Sequence, residues 1–160
     1  MSPEARHRRS AGLLLYRRDP GGLRVLIAHM GGPLWARKDE RAWSLPKGEH
    51  PEEEAPLDAA RREFAEELGL PAPEGPAIDL GEVRQGSGKR VRAWAIEGDL
   101  DPAAIVPGTF EMAWPPRSGR TIEVPEVDRV AWMTIDEARP RLVAAQEAFL
   151  DRLLEALSAA

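Results

Sequence analysis

Glu66 and Glu67 follow Glu63 by three and four residues, in a stretch whose apolar spacing is helical. At about 100° per residue the three carboxylates share an arc roughly 100° wide. Neighbouring like charges at these spacings destabilise a bare helix by roughly 0.2–0.5 kcal/mol per pair, so something has to offset them. A hard divalent cation, which takes carboxylate oxygens, would turn the repulsion into ligation. In a chain with 27 acidic residues the plain alternative is a solvated acidic face, and the three carboxylates alone do not decide between the two.

The flanking residues say what positions this triplet. Pro56 suits a first helical turn, where its missing N–H is no loss. Gly69 is placed as a left-handed C-terminal cap with Pro71 just beyond. Between them Leu57, Ala60, Phe64 and Leu68 recur at spacings of three, four and four, one apolar stripe beside the acidic arc. Gly48, Glu54, Arg62, Glu63, Phe64, Glu66, Glu67, Gly69 and Leu70 together fill every defined position of the Nudix box over residues 48–70. On these residues the chain resembles the Nudix hydrolases.

That resemblance implies an α+β fold, an α/β/α sandwich with a mixed β-sheet between helices. It also implies Mg2+-dependent cleavage of a nucleoside diphosphate linked to another group, with Mn2+ as a possible substitute. A pyrophosphate link resists attack because its anionic oxygens repel a nucleophile; bound Mg2+ neutralises them, orients a water and lowers its pKa. As the family pattern implies, the metal ligands are Glu63, Glu66, Glu67 and the backbone carbonyl of Gly48. Arg62 would hold a box carboxylate in place, and Glu54 would orient from the loop. Members of the family draw the general base either from the box or from a distant loop. Glu126, just before the last strand, is the first candidate here, with Glu111 and Glu123 competing. A solvated loop carboxylate is the alternative for all three.

Phosphates call for cations. Lys47 stands beside the box, and the form Pro46-Lys47-Gly48 resembles the branches acting on dinucleoside polyphosphates and diphosphoinositol phosphates. Arg37, Lys38, Arg41 and Arg92 are further candidates, set against the ordinary solvation of surface cations. Trp35 and Trp114 fall in loops and could stack on a base, and Glu111 is a candidate substrate contact. Trp43, Trp94 and Trp132 read as core or sheet-face residues. The markers of some branches are missing. The window some 15–18 residues past the box, Gln85–Gly88, holds neither the proline of ADP-ribose hydrolases nor the tyrosine of many dinucleoside polyphosphate hydrolases. The coenzyme A pyrophosphatase signature is also absent. Nucleoside polyphosphates therefore stand beside other diphosphates, such as RNA 5′ ends and diphosphoinositols, and beside a non-catalytic binding module. A pure binder has no need of three metal carboxylates.

The remaining elements follow from punctuation. Residues 10–17 and 23–30 are apolar runs joined by Asp19-Pro20-Gly21-Gly22, a hairpin or two neighbouring strands. Residues 31–42 form a polar loop, 43–46 a short strand, and Lys47-Gly48 opens the box loop. Residues 78–85 and 90–97 read as antiparallel strands around Gly86–Lys89, with Val91, Ala93 and Ala95 turned to the core and Arg90, Arg92 and Trp94 away. Residues 101–120 form a long proline-bearing connection, functional or mobile by its length. Residues 127–135 form a last strand. Thr134 and Glu137 fit a capping box, and a helical region interrupted near Pro140 packs through Phe149, Leu153, Leu154 and Leu157.

At 160 residues the chain reads as one domain, 1–160, with residues 1–9 a flexible basic tail carrying Arg6, His7, Arg8 and Arg9. The apolar run after that tail is too short for a signal peptide and is followed at once by Arg17 and Arg18. No stretch approaches the roughly 20 apolar residues of a membrane span. With no cysteine, disulfides and thiolate metal sites are excluded and a cytoplasmic setting fits. A formal charge of −5 argues against general nucleic-acid binding. The expected partner is a nucleotide or other diphosphate-containing small molecule, bound by a monomer or homodimer.

Overall fold

The computed structural model describes residues 9–159. Of the expected tail, residues 1–8 lie outside the described part. Arg9 does not belong to a tail: it opens β1 (Arg9–Asp19) and pairs with Arg90. β1 turns at Asp19–Gly22 into β2 (Gly22–Met30), closing an antiparallel hairpin with Gly22 at φ 122°. β3 (Trp43–Ser44) pairs with β2. β4 (Lys47–Glu49) is a strand where the sequence suggested the start of a loop, because Lys47, Gly48 and Glu49 pair with Gly12, Ala11 and Ser10 of β1.

β5 (Ala77–Arg84) and β6 (Arg90–Glu97) are antiparallel around the expected turn. β6 runs parallel to β1, so the sheet is mixed, in the order β3-β2-β1-β6-β5 with β4 on β1 and β9 (Val127–Thr134) on β2. The long connection contains a hairpin that the sequence did not reveal, β7 (Thr109–Ala113) with β8 (Thr121–Pro125), forming a sheet of its own.

Two apolar layers flank the main sheet. On one face α1 (Pro56–Leu68) buries Ala60, Phe64 and Leu68 against Leu13, Leu15 and Leu26. Full burial of a side chain such as Phe64 is worth roughly 2–3 kcal/mol. On the other face α3 (Glu147–Ser158) buries Phe149, Leu150 and Leu153 against Leu14, Ile27 and Ala93. Leu150 takes the inward place expected for Leu154, which is 38% exposed. Trp94 is also turned inward, because α1 covers the second face of β6. α2 (Ile135–Ala138) carries the reciprocal Thr134–Glu137 capping box and ends before Pro140. The fold is therefore the expected α+β sandwich. No helix among the described residues is long and apolar enough to cross a membrane.

Buried His29 ties the 31–42 loop to the sheet. Its Nδ1 lies 2.9 Å from Asp128 Oδ2 and its Nε2 lies 2.6 Å from the Lys38 carbonyl oxygen, with the ring edge-on to Trp43.

Candidate active site

Gly69 ends α1 in the left-handed region at φ 71°, donating its N–H to the Ala65 carbonyl at 2.8 Å. This cap stops the helix just after the acidic turn. The last two carbonyls of the helix are met from the long connection: Val106 N–H donates to Leu68 at 2.8 Å and Gly108 N–H to Glu67 at 3.3 Å. Gly108 has to be glycine, since a Cβ there would sit 2.7 Å from the Glu66 carbonyl oxygen.

The same segment places Glu126. Its N–H donates to Gly108 O at 2.8 Å and its carbonyl accepts from Gly31 N–H at 3.1 Å. The Glu126 carboxylate consequently overhangs the acidic end of α1, with Oε2 3.8 Å from where a residue-108 Cβ would stand. Burial first, then the charges of Glu63 and Glu66, raise its pKa above the ordinary carboxylate range. The residue as a whole remains exposed at the mouth of an open cleft.

Glu67 is the buried member, 9% exposed, and its Oε2 accepts the Lys47 backbone N–H at 2.9 Å. Burial, and after it the charges of Glu126 and Glu63, push its pKa up to about 8 against the opposing pull of that hydrogen bond. Glu63 lies against Gly48 so closely that any Cβ at residue 48 would collide with its carboxylate. Its pKa too is raised, chiefly by burial, although Arg62 pulls the other way. Arg62 gathers the rest: Nε and Nη2 donate to the two Glu54 oxygens at 2.8 Å each, and Nη1 donates to Glu63 at 2.9 Å and Glu66 at 3.1 Å. Glu54 is held below its usual range by the guanidinium, and the Arg62 pKa is raised.

Lys47, Glu67 and Glu126 line one cleft of about 210 Å³, with apolar walls including Met30, Val127 and Val143. Burial lowers the Lys47 pKa, and nearby Lys89 adds to the effect. Gln85 and Ser44 also line this cleft. Both were overlooked in the sequence, where an isolated glutamine or serine carries no signal.

The structure thus brings Lys47, Gly48, Arg62, Glu63, Glu66, Glu67 and Glu126 together. Arg37, Trp35 and Glu111 do not line the cleft. Trp35 is half-buried against the core with Lys38 over its ring at 5.2 Å. Arg41 donates to the Arg139 and Leu142 carbonyls and pairs with Glu147. Arg92 is engaged by Asp79 at 2.6 Å and stacks on Trp94. Trp114 is at the far end of β7, where its N–H meets Arg120 O. Glu111 and Glu123 face each other across the hairpin, both exposed, and Glu123 accepts the Thr109 hydroxyl.

Among the described residues no three acidic or imidazole groups converge as a ready-made metal cage. The donor set nonetheless fits a hard divalent cation. Mutual charge and burial disfavour ionised Glu63, Glu67 and Glu126, and the cradle at Gly48 admits no side chain beside the Glu63 oxygens. An added positive charge would relieve all three.

An acidic helix end and a lysine sharing one cleft, set on a mixed sheet between helices, make a site for phosphorus chemistry. The family model for the NUDIX domain matches residues 6–153, and the chain belongs to the Nudix family. As a member it is a hydrolase acting on pyrophosphate bonds. Comparison with curated proteins gives no match. Among solved structures it is similar to a C. elegans Ap4A hydrolase binary complex, at 18% identity, TM-score 0.67, covering 94% of this chain and 99% of that one. It is similar to RenU, a Nudix hydrolase from M. smegmatis, at 25% identity, TM-score 0.59, covering 96% and 87%. The NUDIX domain of Shewanella oneidensis NrtR complexed with ADP ribose matches at 16% identity, TM-score 0.64, covering 98% and 94%.

Proposed function

We propose that the protein hydrolyses a diphosphate linkage in nucleoside polyphosphates, nucleoside triphosphates or dinucleoside polyphosphates, with Mg2+ as cofactor. The observation that carries this reading is the convergence of Glu67, Glu126 and Lys47 on one cleft whose other walls are mostly apolar, with Ser44 and Gln85 among them. Charged phosphates suit Lys47 and a cation held by the carboxylates, and a flat organic group suits the apolar part of the walls. Nucleotide-like ligands in the names of two neighbours, Ap4A and ADP ribose, agree with that division.

Glu63, Glu66, Glu67 and the Gly48 carbonyl would hold the metal, which supplies charge neutralisation at the phosphate oxygens and acidifies a water when bound. The chain's own groups do the rest. Arg62 fixes the directions of the Glu63 and Glu66 carboxylates through a guanidinium itself clamped by Glu54. Lys47 faces the phosphate chain from the strand side. Glu126 accepts the proton of the attacking water: the water oxygen bonds to phosphorus, and the P–O bond to the leaving phosphate breaks with its electron pair. A raised pKa makes Glu126 a stronger base than a free carboxylate.

The test is a panel of ATP, dGTP, Ap4A, ADP ribose, capped RNA and a diphosphoinositol phosphate, with products identified by mass. Mg2+-dependent cleavage of a nucleoside polyphosphate is expected, lost in chelator and restored by Mg2+ or Mn2+. Turnover confined to RNA ends or diphosphoinositols, or undiminished in excess chelator, would overturn the reading.

A further inference from the structure

We infer that Gln85, oriented by the buried side chain of Gln146, presents a hydrogen-bond donor to the organic half of the substrate. The cleft then favours a carbonyl acceptor, as in a 6-oxopurine, over an exocyclic amine. This rests on the nucleotide reading above and specifies the base within it.

The argument starts at a group whose polarity is fixed. The backbone N–H of Leu45 can only donate, and it donates to Gln146 at 3.0 Å, so the contacting atom of Gln146 is its oxygen, Oε1. Gln146 is fully buried, and its Nε2 then has to donate. It does so twice, to Ser44 Oγ at 3.0 Å and to Gln85 Oε1 at 3.0 Å. Ser44 passes its own proton to the Leu45 carbonyl at 2.7 Å, so it has none to offer Gln146. The chain of bonds leaves one arrangement for Gln85: its oxygen is engaged below.

Gln85 Nε2 makes no hydrogen bond among the described residues and is not among the buried polar atoms lacking a partner, so it remains accessible. Gln85 is half-buried in the wall of the Lys47–Glu67–Glu126 cleft. Its backbone is held as well, since its N–H closes the β5–β6 turn on Lys89 O at 2.9 Å. The donor is therefore pre-positioned, and swinging it away would break the bond to Gln146. Met30, Val127 and Val143 in the same cleft suit a base rather than charged oxygens, whose natural partners are Lys47 and a cation held at the acidic end. A donor meeting a carbonyl forms a bond. Meeting an amine, it leaves two donors facing each other, a difference of about tenfold for a neutral pair in a partly open site.

ITP and ATP carry this contrast at position 6. The full chain with Mg2+, given both in one reaction, should show kcat/KM about tenfold higher for ITP. Gln85→Leu should remove the preference. Gln85→Glu keeps an acceptor for Gln146 and turns an acceptor to the cleft, so it should favour ATP. Inhibition by inorganic tripolyphosphate should change less than twofold in both variants, which separates a base contact from a phosphate contact. Equal rates for ITP and ATP in the native chain, an unchanged ITP preference in Gln85→Glu, or an equal loss of tripolyphosphate inhibition would each overturn the inference. If the chain with Mg2+ hydrolyses neither nucleotide, equilibrium binding of ITP and ATP to it needs no turnover: a preserved ITP preference would overturn the reaction and keep Gln85's role. Equal or absent binding would overturn that role.

Discussion

Replacing Glu67 by glutamine should stabilise the metal-free protein while disabling it. Glu67 is 9% exposed and its pKa is pushed from 4.5 to about 8. The folded state therefore holds its proton more tightly than the unfolded chain. Below about pH 4.5 both states are protonated and the group contributes nothing. Between 4.5 and 8 the unfolded chain ionises first, so stability falls as pH rises, and above about 8 the loss is complete. At about 1.4 kcal/mol per unit the full loss is at most on the order of 5 kcal/mol. Glutamine removes the charge and keeps an oxygen for the Lys47 N–H.

Urea unfolding in chelator checks this, with the slope of free energy against urea confirmed equal for both proteins. At pH 9 Glu67→Gln should be the more stable by roughly 2–4 kcal/mol, and at pH 4.5 the two should agree within about 1 kcal/mol. Added Mg2+ should stabilise the native protein and leave the variant nearly unmoved, because mass action stabilises only the state that binds. A variant less stable than the native chain at pH 9 would refute the buried-charge argument. An equal Mg2+ response in both would remove Glu67 from the metal site.

Three further outcomes follow from the geometry. Glu126→Gln should lower kcat by about 10²–10³-fold with Mg2+ affinity little changed, whereas Glu111→Gln and Glu123→Gln, on the exposed hairpin, should stay within about twofold; normal turnover in Glu126→Gln moves the base elsewhere. Lys47→Ala should weaken KM by about 10–100-fold for substrates with long phosphate chains and by less for a single diphosphate, and equal losses for both would take Lys47 off the phosphates. Gly48→Ala drives a methyl into the Glu63 carboxylate, so kcat/KM should fall by about 10²-fold with the far-ultraviolet circular dichroism retained; full activity would show that Glu63 does not need that cradle.

Local rules made the acidic helix legible. Its stripe, its proline start and its glycine stop are all written within a few turns, as are the Asp19–Gly22 turn and the Thr134–Glu137 box. What escaped was set by partners remote in the chain. β7 (Thr109-Phe110-Glu111-Met112-Ala113) and β8 (Thr121-Ile122-Glu123-Val124-Pro125) do alternate polar and apolar residues, but over only five residues each inside a proline-bearing connection, too short a pattern to stand out until the two pair. Lys47-Gly48-Glu49 reads as a loop until β1 lies beside it. Trp94 reads as outward because the packing of the α1 layer over Trp94 and Ile96, the second half of β6, is a tertiary fact. Its place just before the last strand ranks Glu126 ahead of Glu111 and Glu123, but the sequence does not show what carries it to the helix. Two backbone bonds, to Gly108 and to Gly31, bring it over the acidic helix end, and Gly108 is there because it also closes the carbonyl of Glu67. One short segment therefore completes the helix and delivers the base candidate. Any change that loosens residues 106–108 should act on both at once: the α1 terminus loses its partners and Glu126 loses its anchor. Such a change would lower kcat without touching a residue that meets substrate, which is why a site of this kind is poorly described by its carboxylates alone.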